Sequence, residues 1–299
     1  MFVGNILRAH PVVLHPVRPV SRLVQRTAIW YSHDALNDKN RNRIQMRNDA
    51  LLTVHGLSYD VSGVKILHDV SFSLPRHSLT VMTGRNGSGK SMLLRAIKGL
   101  AQPRKGTIIL DGENLSSMPS RRNRNIGLVF QDADTQIVGQ TVKRDILFGL
   151  ENLRLDYAEK EARFTDVAAL MGLEEKLGQR PRTLSGGEKR RLAIAGILAM
   201  KPLLLMLDEP FANLDYPGII HVLKALIALR EAGHTLLVVT HDCDKILYHA
   251  DRVLLLEKGR IIMDNSPSEA LESLMAHDVH IPTYGGHPVP LEELTCLKV

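Results

Sequence analysis

The chain has 299 residues, 44% hydrophobic and 23% charged, a composition typical of one large or two modest globular domains and not of a disordered protein. The net charge of +6 lies almost wholly in residues 1–50, which hold eight Lys/Arg and three Asp/Glu, whereas the remaining residues hold 30 and 29. This near-neutral body disfavours a nucleic-acid-binding protein, which needs a basic face on its folded domain, so no nucleic-acid partner is expected.

Residues 1–48 form a basic leader with three early prolines and no acidic residue before Asp34. An Arg-rich, acid-poor start is typical of an organellar transit peptide, although little serine is present and the prolines interrupt any amphipathic helix. Two alternatives stay open: a disordered extension, and a start-site artefact in which translation begins at Met46.

From residue 51 the pattern becomes orderly. Residues 51–54, 65–74 and 79–82 predict strands, a glycine-rich turn follows, and residues 90–100 predict a helix. Residues 107–110 with Asp111-Gly112 predict a hairpin, and residues 126–130 another strand.

The second half of the chain alternates helices and strands. Residues 132–184 predict a small helical subdomain, and residues 185–200 a helix whose longest apolar run is too short to span a bilayer. Residues 203–207, 236–239 and 253–256 predict buried strands, which indicates an α/β fold with a mostly parallel sheet covered on both faces. The domain is therefore expected over residues 49–276, followed by a tail, residues 277–299, without a clear period.

A glycine-rich loop after the third strand matches the phosphate-binding pattern G-x-x-x-x-G-K-[ST] and opens a helix, as that pattern requires. It comprises Gly84, Arg85, Asn86, Gly87, Ser88, Gly89, Lys90 and Ser91. Glycines turn backbone N–H groups toward phosphate oxygens, Lys90 is expected to reach the outer phosphates, and the Ser91 hydroxyl to bind Mg²⁺. The alternative, a chance glycine turn, is further disfavoured by the strand before the loop and the helix after it.

Two further segments carry candidate chemistry. Asp208 and Glu209 follow a buried strand, at the edge where open α/β sheets bind ligands. Asp208 is expected to hold Mg²⁺ and Glu209 to activate the attacking water, unless the two acids merely cap the strand. Residues 184–188, LSGGE, combine a serine cap with glycines at a helix start, which is a second anion site or an ordinary N-cap.

The order of these elements resembles the nucleotide-binding domain of ATP-binding cassette (ABC) proteins, from about residue 51 to 275. LSGGE matches that family's signature sequence, which is far more specific than a phosphate loop. Gln131 matches its Q-loop glutamine, residues 213–215 its D-loop, and His241 its switch histidine. The resemblance implies a P-loop NTPase cassette with a mostly parallel core sheet, an antiparallel N-terminal β part and a helical subdomain.

The resemblance also implies MgATP hydrolysis at sites shared by two subunits, identical or homologous. Ser185, Gly186 and Gly187 would contact the partner's γ-phosphate, with Glu188 and Asp215 at the same interface. Gln131 would contact Mg²⁺ and report occupancy to integral membrane subunits, and His241 would hold the γ-phosphate and the water. Such a subunit lies at the cytoplasmic face of a prokaryotic cell membrane.

Within the family, residues 130–136 and 191–202 resemble the ATPases of energy-coupling factor (ECF) importers of vitamins, cobalt or nickel. Two positions depart from the family pattern. Met92 replaces the usual threonine after Ser91, and Val61 stands where an aromatic residue stacks on adenine, so adenine is expected to pack on Tyr59 or Val61.

The sequence leaves three alternatives to a transport ATPase open. They are a soluble ABC ATPase acting on DNA or ribosomes, an ATPase of another ABC transporter class, and a non-catalytic regulatory subunit. One cassette, a short helical subdomain and a complete hydrolytic set favour the transport ATPase. Neither Cys243 nor Cys296 forms a CxxC pair, so a disulfide framework or a zinc site is not expected, and Cys243 is expected to be a bystander.

Overall fold

The computed structural model describes residues 49–297, so the predicted leader, including Met46, lies outside the described residues. The strands are β1 Ala50–Val61, β2 Val64–Pro75, β3 Leu79–Thr83, β4 Lys105–Leu110, β5 Glu113–Asn114, β6 Ile126–Val129, β7 Leu204–Asp208, β8 Thr235–Val239, β9 Arg252–Glu257, β10 Arg260–Asn265, β11 Thr283–Tyr284 and β12 His287–Pro288. The helices are α1 Lys90–Lys98, α2 Pro119–Asn125, α3 Val142–Glu151, α4 Tyr157–Leu170, α5 Gly186–Ala199, α6 Tyr216–Glu231 and α7 Pro267–Ala276.

The central sheet has the strand order β10-β9-β3-β8-β7-β6, parallel throughout except that β10 runs antiparallel to β9. Every residue of β3, β7 and β8 is buried, as expected for parallel strands covered on both faces. The predicted α/β fold is confirmed. Because parallel strands end at the same edge, the residues that follow β3, β7 and β8 come together there.

A second sheet, of order β2-β1-β4-β5, is antiparallel and forms the N-terminal β part. Its core-facing side chains share one apolar cluster with helix α1. At Gly89, which precedes α1, a Cβ would lie 3.0 Å from Leu67 Cδ2. The antiparallel sheet therefore lies directly over the start of α1.

Residues 132–184 contain helices α3 and α4 and three short 3₁₀ turns, Ala133–Thr135, Glu174–Lys176 and Pro181–Thr183. Side chains cap both helices at their N-termini: the Thr141 hydroxyl accepts from Arg144 N (3.3 Å) and the Asp156 carboxylate from Glu159 N (2.8 Å). Phe164 and Ile146 join the same apolar cluster as Leu192 of α5. This subdomain and the α5 helix therefore share one core.

The tail differs from the sequence-based expectation. Residues 283–288 form a short hairpin, and Val279, Ile281 and Leu294 are buried in the main apolar cluster. Two backbone groups are also held, because Tyr248 N donates to Leu294 O (3.2 Å) and the Tyr216 hydroxyl to Cys296 O (3.0 Å). The apolar residues of the tail are isolated between prolines and glycines, so they show neither a helical nor a strand period. The sequence pattern therefore did not show that this segment packs on the domain.

Lys98, at the end of α1, ties that helix to the start of β6. Its ammonium donates to Asn123 O (2.6 Å) and to Ile126 O. Burial lowers the pKa of Lys98 from 10.5 to about 8.

We expect the free energy of unfolding to rise between pH 8 and pH 10.5 through this residue. In that window the unfolded chain binds the Lys98 proton more tightly than the folded protein, so deprotonation relieves a cost that is fully present below pH 8. The gain is at most about 3 kcal/mol. Urea unfolding across this range would show the rise, Lys98→Met would flatten it, and Lys224→Met controls for the loss of one exposed charge. An unchanged pH dependence in Lys98→Met would contradict the assignment.

Candidate functional site

The glycine-rich loop wraps around the ammonium group of Lys90. Lys90 is buried, and its Nζ donates to Gly84 O (2.6 Å) and Arg85 O (3.1 Å). Gly84 has φ +143°, and a Cβ there would lie 2.0 Å from Leu256 O, so only glycine lets the loop approach β9. Burial lowers the pKa of Lys90, which the charges of Glu209 and Asp208 oppose. A buried cation within a glycine-rich loop at a helix start is suited to bind polyphosphate.

Asp208 ends β7 as a buried carboxylate. Its Oδ1 is buried and has no hydrogen-bond partner among the described residues. Burial raises the pKa of Asp208, and a side-chain hydrogen bond from Ser91 is the largest effect that lowers it. A buried carboxylate oxygen without a donor, beside a hydroxyl, fits a hard divalent cation such as Mg²⁺. Asp208 and Ser91 are the residues that would hold this ion.

Glu209 and His241 form a contact pair at the edge of the sheet. Their strands, β7 and β8, are neighbours, and Glu209 N donates to Val239 O (2.8 Å). Glu209 Oε1 lies 2.9 Å from His241 Nδ1, and its Oε2 accepts from His241 N (3.3 Å). Glu209 itself has φ +48°, in the left-handed region, where a non-glycine backbone is strained. These contacts hold the Glu209 carboxylate beside His241 at the carboxyl edge of the sheet.

A cavity of 480 Å³ brings the predicted phosphate and catalytic residues together. It is lined by Ile66, Asn86, Gly87, Gly89, Lys90, Ser91, Met92, Gln131, Glu209 and His241. The lining also includes the apolar side chain of Ile66, which the sequence analysis did not select.

Neither residue predicted to pack on adenine lines this cavity. The pairing of β1 with β2 shifts by one residue between Tyr59↔Leu67 and Asp60↔Lys65. The shift turns Tyr59 to the face of Leu67, where it packs against the apolar cluster, whereas Val61 lies opposite Val64 at the end of the hairpin and is 45% exposed. The structure thus packs the partly buried Tyr59 against the core and leaves Val61 outside the cavity lining.

The segment around Gln131 is held by the signature helix α5. Arg190 Nη1 donates to Phe130 O (2.6 Å) and Nη2 to Gln131 O. Arg190 is buried, which lowers the pKa of its guanidinium, opposed by the charges of Asp132 and Asp208. Lys189 adds an ion pair with Asp134 (2.8 Å). The sequence analysis predicted the helix over residues 185–200 but assigned Arg190 no contact.

The signature residues lie at the start of α5, outside the cavity lining. The Ser185 hydroxyl accepts from Glu188 N (3.3 Å), and Glu188 Oε2 accepts from Ser185 N (2.8 Å), a reciprocal capping box. The Ser185 N–H is the main cause that lowers the pKa of Glu188. These contacts orient the helix start, with Gly186 and Ser185 exposed. The cavity around Lys90 is lined by none of the signature residues Ser185, Gly186, Gly187 and Glu188.

Asp215 lies beside the signature and not beside the phosphate loop. Its Oδ1 accepts from Gly218 N (3.0 Å) and so caps α6. The helices α5 and α6 meet at glycines, because a Cβ on Gly187 would lie 2.8 Å from Gly218 Cα. The structure therefore divides the predicted site residues into two groups, one around Lys90 and one around Ser185.

A second cavity, of 410 Å³, joins the phosphate loop to the tail. Its lining includes Arg85, Asn86 and His241 on one side and Asp278 and His280 on the other. Arg85 Nη1 and Asp278 Oδ2 form an exposed ion pair at 2.9 Å. Sequence reasoning gave no sign that the tail borders the loop.

Cys243, two residues after His241, is fully buried, and burial raises its thiol pKa to about 12. A thiol that stays protonated is a poor metal ligand, since metals bind the thiolate.

The helices within residues 49–297 include none with the length and apolar character needed to span a bilayer.

The chain is similar to ABC transporter proteins by sequence and by structure. The family model described as ABC transporter matches residues 67–212. The energy-coupling factor transporter ATP-binding protein EcfA of Methanocaldococcus jannaschii is 36% identical over 74% of this chain and 81% of that protein. The cobalt import ATP-binding protein CbiO of Rhodobacter capsulatus is 39% identical over 74% and 80%.

A solved structure shows the same likeness. The structure of cbiO1 from Clostridium perfringens, described as part of the ABC transporter complex cbiONQ, superposes with a TM-score of 0.70 at 32% identity. The match covers 77% of this chain and 96% of that one.

Proposed function

We propose, from the premise that this chain belongs to the ABC transporter family, that it is the ATP-hydrolysing subunit that energises an ECF-type importer of a vitamin or a transition-metal ion. The observation that carries this proposal is the 480 Å³ cavity, where Lys90, Ser91, Gln131, Glu209 and His241 meet. Similarity to proteins named for energy-coupling factor transport and for cobalt import supports the class of transporter.

Each side chain of the cavity has a role that its geometry supports. Lys90, already surrounded by loop carbonyls, would exchange those contacts for the outer phosphates. Ser91 and Asp208 would hold Mg²⁺, with Gln131 facing it from the cavity wall; the ion would neutralise phosphate charge as it develops. Glu209, oriented by its contacts with the backbone N–H and the Nδ1 of His241, would take the proton of the attacking water. The histidine would then lie between that carboxylate and the γ-phosphate.

We propose that two subunits complete each site. Ser185, Gly186 and Gly187 present a capped helix start that does not line the cavity of their own chain. A helix N-terminus is an anion site. Because this one does not line the cavity of its own chain, the phosphate that it would contact is one bound to another subunit. Head-to-tail pairing would bring this helix start, with Glu188 and the nearby Asp215, to the partner's triphosphate. The present observations fit a homodimer or a heterodimer.

The partner in the membrane is proposed to dock on the helical subdomain beside Gln131. Val138 and Phe148 are 59% and 52% exposed in this subdomain, which follows the segment that Arg190 holds against α5. Exposed apolar side chains on this subdomain suit contact with a membrane-embedded transport subunit. We propose that the chain lies at the cytoplasmic face of the cell membrane, held there by its partners.

The proposal is tested by two measurements on the full chain. Purified protein is expected to release phosphate from ATP in a Mg²⁺-dependent way. From gently solubilised membranes, it is expected to co-purify with a scaffold membrane subunit and a small substrate-capturing membrane protein. Co-purification with DNA-repair or ribosomal proteins instead, or no phosphate release with any subunit, would contradict it.

A further inference from the structure

We propose that Gln136 is a positioning residue for Gln131: its side-chain amide holds the backbone from which Gln131 reaches the catalytic cavity. The proposal rests on the function proposed above and adds to it a residue that lies outside the cavity lining. It is carried by two hydrogen bonds of the Gln136 amide, both to the end of the strand that leads to Gln131.

The strand that leads to Gln131 has an open edge. β6, Ile126–Val129, is the last strand of the central sheet, and its partner strand within the described residues is β7. The other edge of β6 presents backbone N–H and C=O groups that no strand of the described structure pairs. Leu128 is buried and Phe130 is half-buried, so these groups need partners within the protein.

The Gln136 side chain supplies partners at this edge. Its Nε2 donates to Leu128 O (3.0 Å), and its Oε1 accepts from Phe130 N (2.7 Å). Leu128 and Phe130 are two residues apart, so their backbone groups face the same edge of the strand and one amide spans both. A single side chain, with one donor and one acceptor, thus takes the place of a neighbouring strand.

The chain between Gln131 and Gln136 folds back on itself. The Asp132 carboxylate accepts from Asp134 N (3.0 Å), and Gln136 N donates to Ala133 O (3.0 Å). These turns return the chain to β6. Residues 131–135 therefore form a short loop that the Gln136 amide closes at its base.

A second side chain, Arg190, holds the next peptide of the same segment, with its guanidinium on Phe130 O (2.6 Å) and Gln131 O. Phe130 thus has its N–H held by Gln136 and its C=O held by Arg190. Gln131 follows from this fixed peptide and lines the 480 Å³ cavity together with Ser91. A displacement of about 1 Å at a catalytic group can cost roughly a hundredfold in rate, so the Gln136 amide acts on hydrolysis through Gln131.

The first test follows backbone amide hydrogen exchange by NMR on the full chain without nucleotide or Mg²⁺. Gln136→Met keeps the length of the side chain and removes both hydrogen bonds. We expect the Phe130 amide to exchange roughly fivefold faster or more, as the loss of one hydrogen bond allows. Gln140→Met, at an exposed position of the same segment, is the matched control and should leave this amide unchanged. Unchanged exchange at Phe130 in Gln136→Met would overturn the proposal.

The second test is a double-mutant cycle on ATP hydrolysis. Gln136→Met is expected to lower kcat roughly tenfold or more, because Gln131 is displaced. The KM for ATP should stay within about threefold, since the phosphate loop is untouched. In a Gln131→Ala background, Gln136→Met should lower kcat no further than about twofold, because no side chain is left for Gln136 to position.

Two outcomes of this cycle would contradict the proposal. A double variant whose loss equals the product of the two single losses would show that Gln136 acts by another route. A fully active Gln131→Ala would leave Gln136 nothing to act through. If Gln136→Met does not fold, Gln136→Asn, whose amide is one methylene shorter and cannot reach both backbone groups, replaces it in both tests.

The two proposals fail differently. If the parent chain hydrolyses ATP and Gln136→Met matches its kcat, the transport ATPase stands and the role of Gln136 is lost. If the parent chain neither binds nor hydrolyses ATP with any subunit, the proposed function itself falls.

Discussion

Glu209→Gln is expected to reduce ATP hydrolysis at least about a hundredfold, while ATP with Mg²⁺ still brings two subunits together. The amide keeps the shape of the side chain and its contact with His241 N, but it cannot accept the proton of the attacking water. Lys90, Ser91 and Asp208 are untouched, so nucleotide binding should persist. Because bound triphosphate then survives, the closed pair should accumulate instead of reopening.

Phosphate release measures the loss of ATP hydrolysis, and size-exclusion chromatography with MgATP measures the pairing of subunits. Glu231→Gln, an exposed acid in the last turn of α6, is the matched control and should behave as the parent protein. Hydrolysis at the parent rate in Glu209→Gln would show that another group activates the water. Loss of both hydrolysis and pairing would separate Glu209 from the chemistry and assign it to assembly.

A mixture of two inactive variants is expected to regain hydrolysis. Lys90→Ala removes the cation that meets the phosphates, and Gly186→Asp places a negative charge at the helix start proposed to meet the partner's phosphate. Each variant alone should lose at least about a hundredfold in rate, by analogy with deleting one group that stabilises transition-state charge. In a mixed pair, one cavity combines both defects and the other combines two intact halves. The second cavity should hydrolyse ATP.

The control for this experiment is the double variant, Lys90→Ala with Gly186→Asp in one chain, mixed with itself. No pair of this variant contains an intact cavity with an intact partner helix start, so it should stay inactive at every protein concentration. Gly186→Asp is expected to fold, since a Cβ there would lie 3.2 Å from Leu214 Cδ2, a contact that a flexible side chain relieves. Failure of the mixture to regain activity, with folded proteins that still pair, would contradict the shared site.

Local rules predicted much of the fold. The buried strands, the phosphate loop between β3 and α1, and the long helix after Ser185 all follow from short-range patterns. One element was missed although its signal was present: Ser266-Pro267 with Glu269 three residues after the serine marks the start of α7, and the structure forms that capping box.

Other parts of the site depend on contacts that no local pattern encodes. Among Lys189, Arg190 and Arg191, only packing decides that Arg190 is the buried one and reaches the carbonyls before the helical subdomain. In the sequence, Ile66 is one of several apolar strand residues. Only the packing of the hairpin against the start of α1 brings it to the cavity. A one-residue register shift, which sequence spacing cannot show, packs Tyr59 against the core and leaves Val61 at the exposed end of the hairpin, so neither lines the cavity.

The packing of the last residues has a practical consequence for handling the protein. Trimming the chain at residue 276, where the sequence suggested that the domain ends, would strip Val279, Ile281 and Leu294 from the interior and leave apolar surface open to aggregation. An affinity tag fused to the C-terminus would begin near Cys296, whose carbonyl accepts from Tyr216, the first residue of α6 and the neighbour of Asp215. Tags at that end would therefore crowd the surface on which a second subunit is expected to close, and assays of assembly are better served by leaving it unmodified.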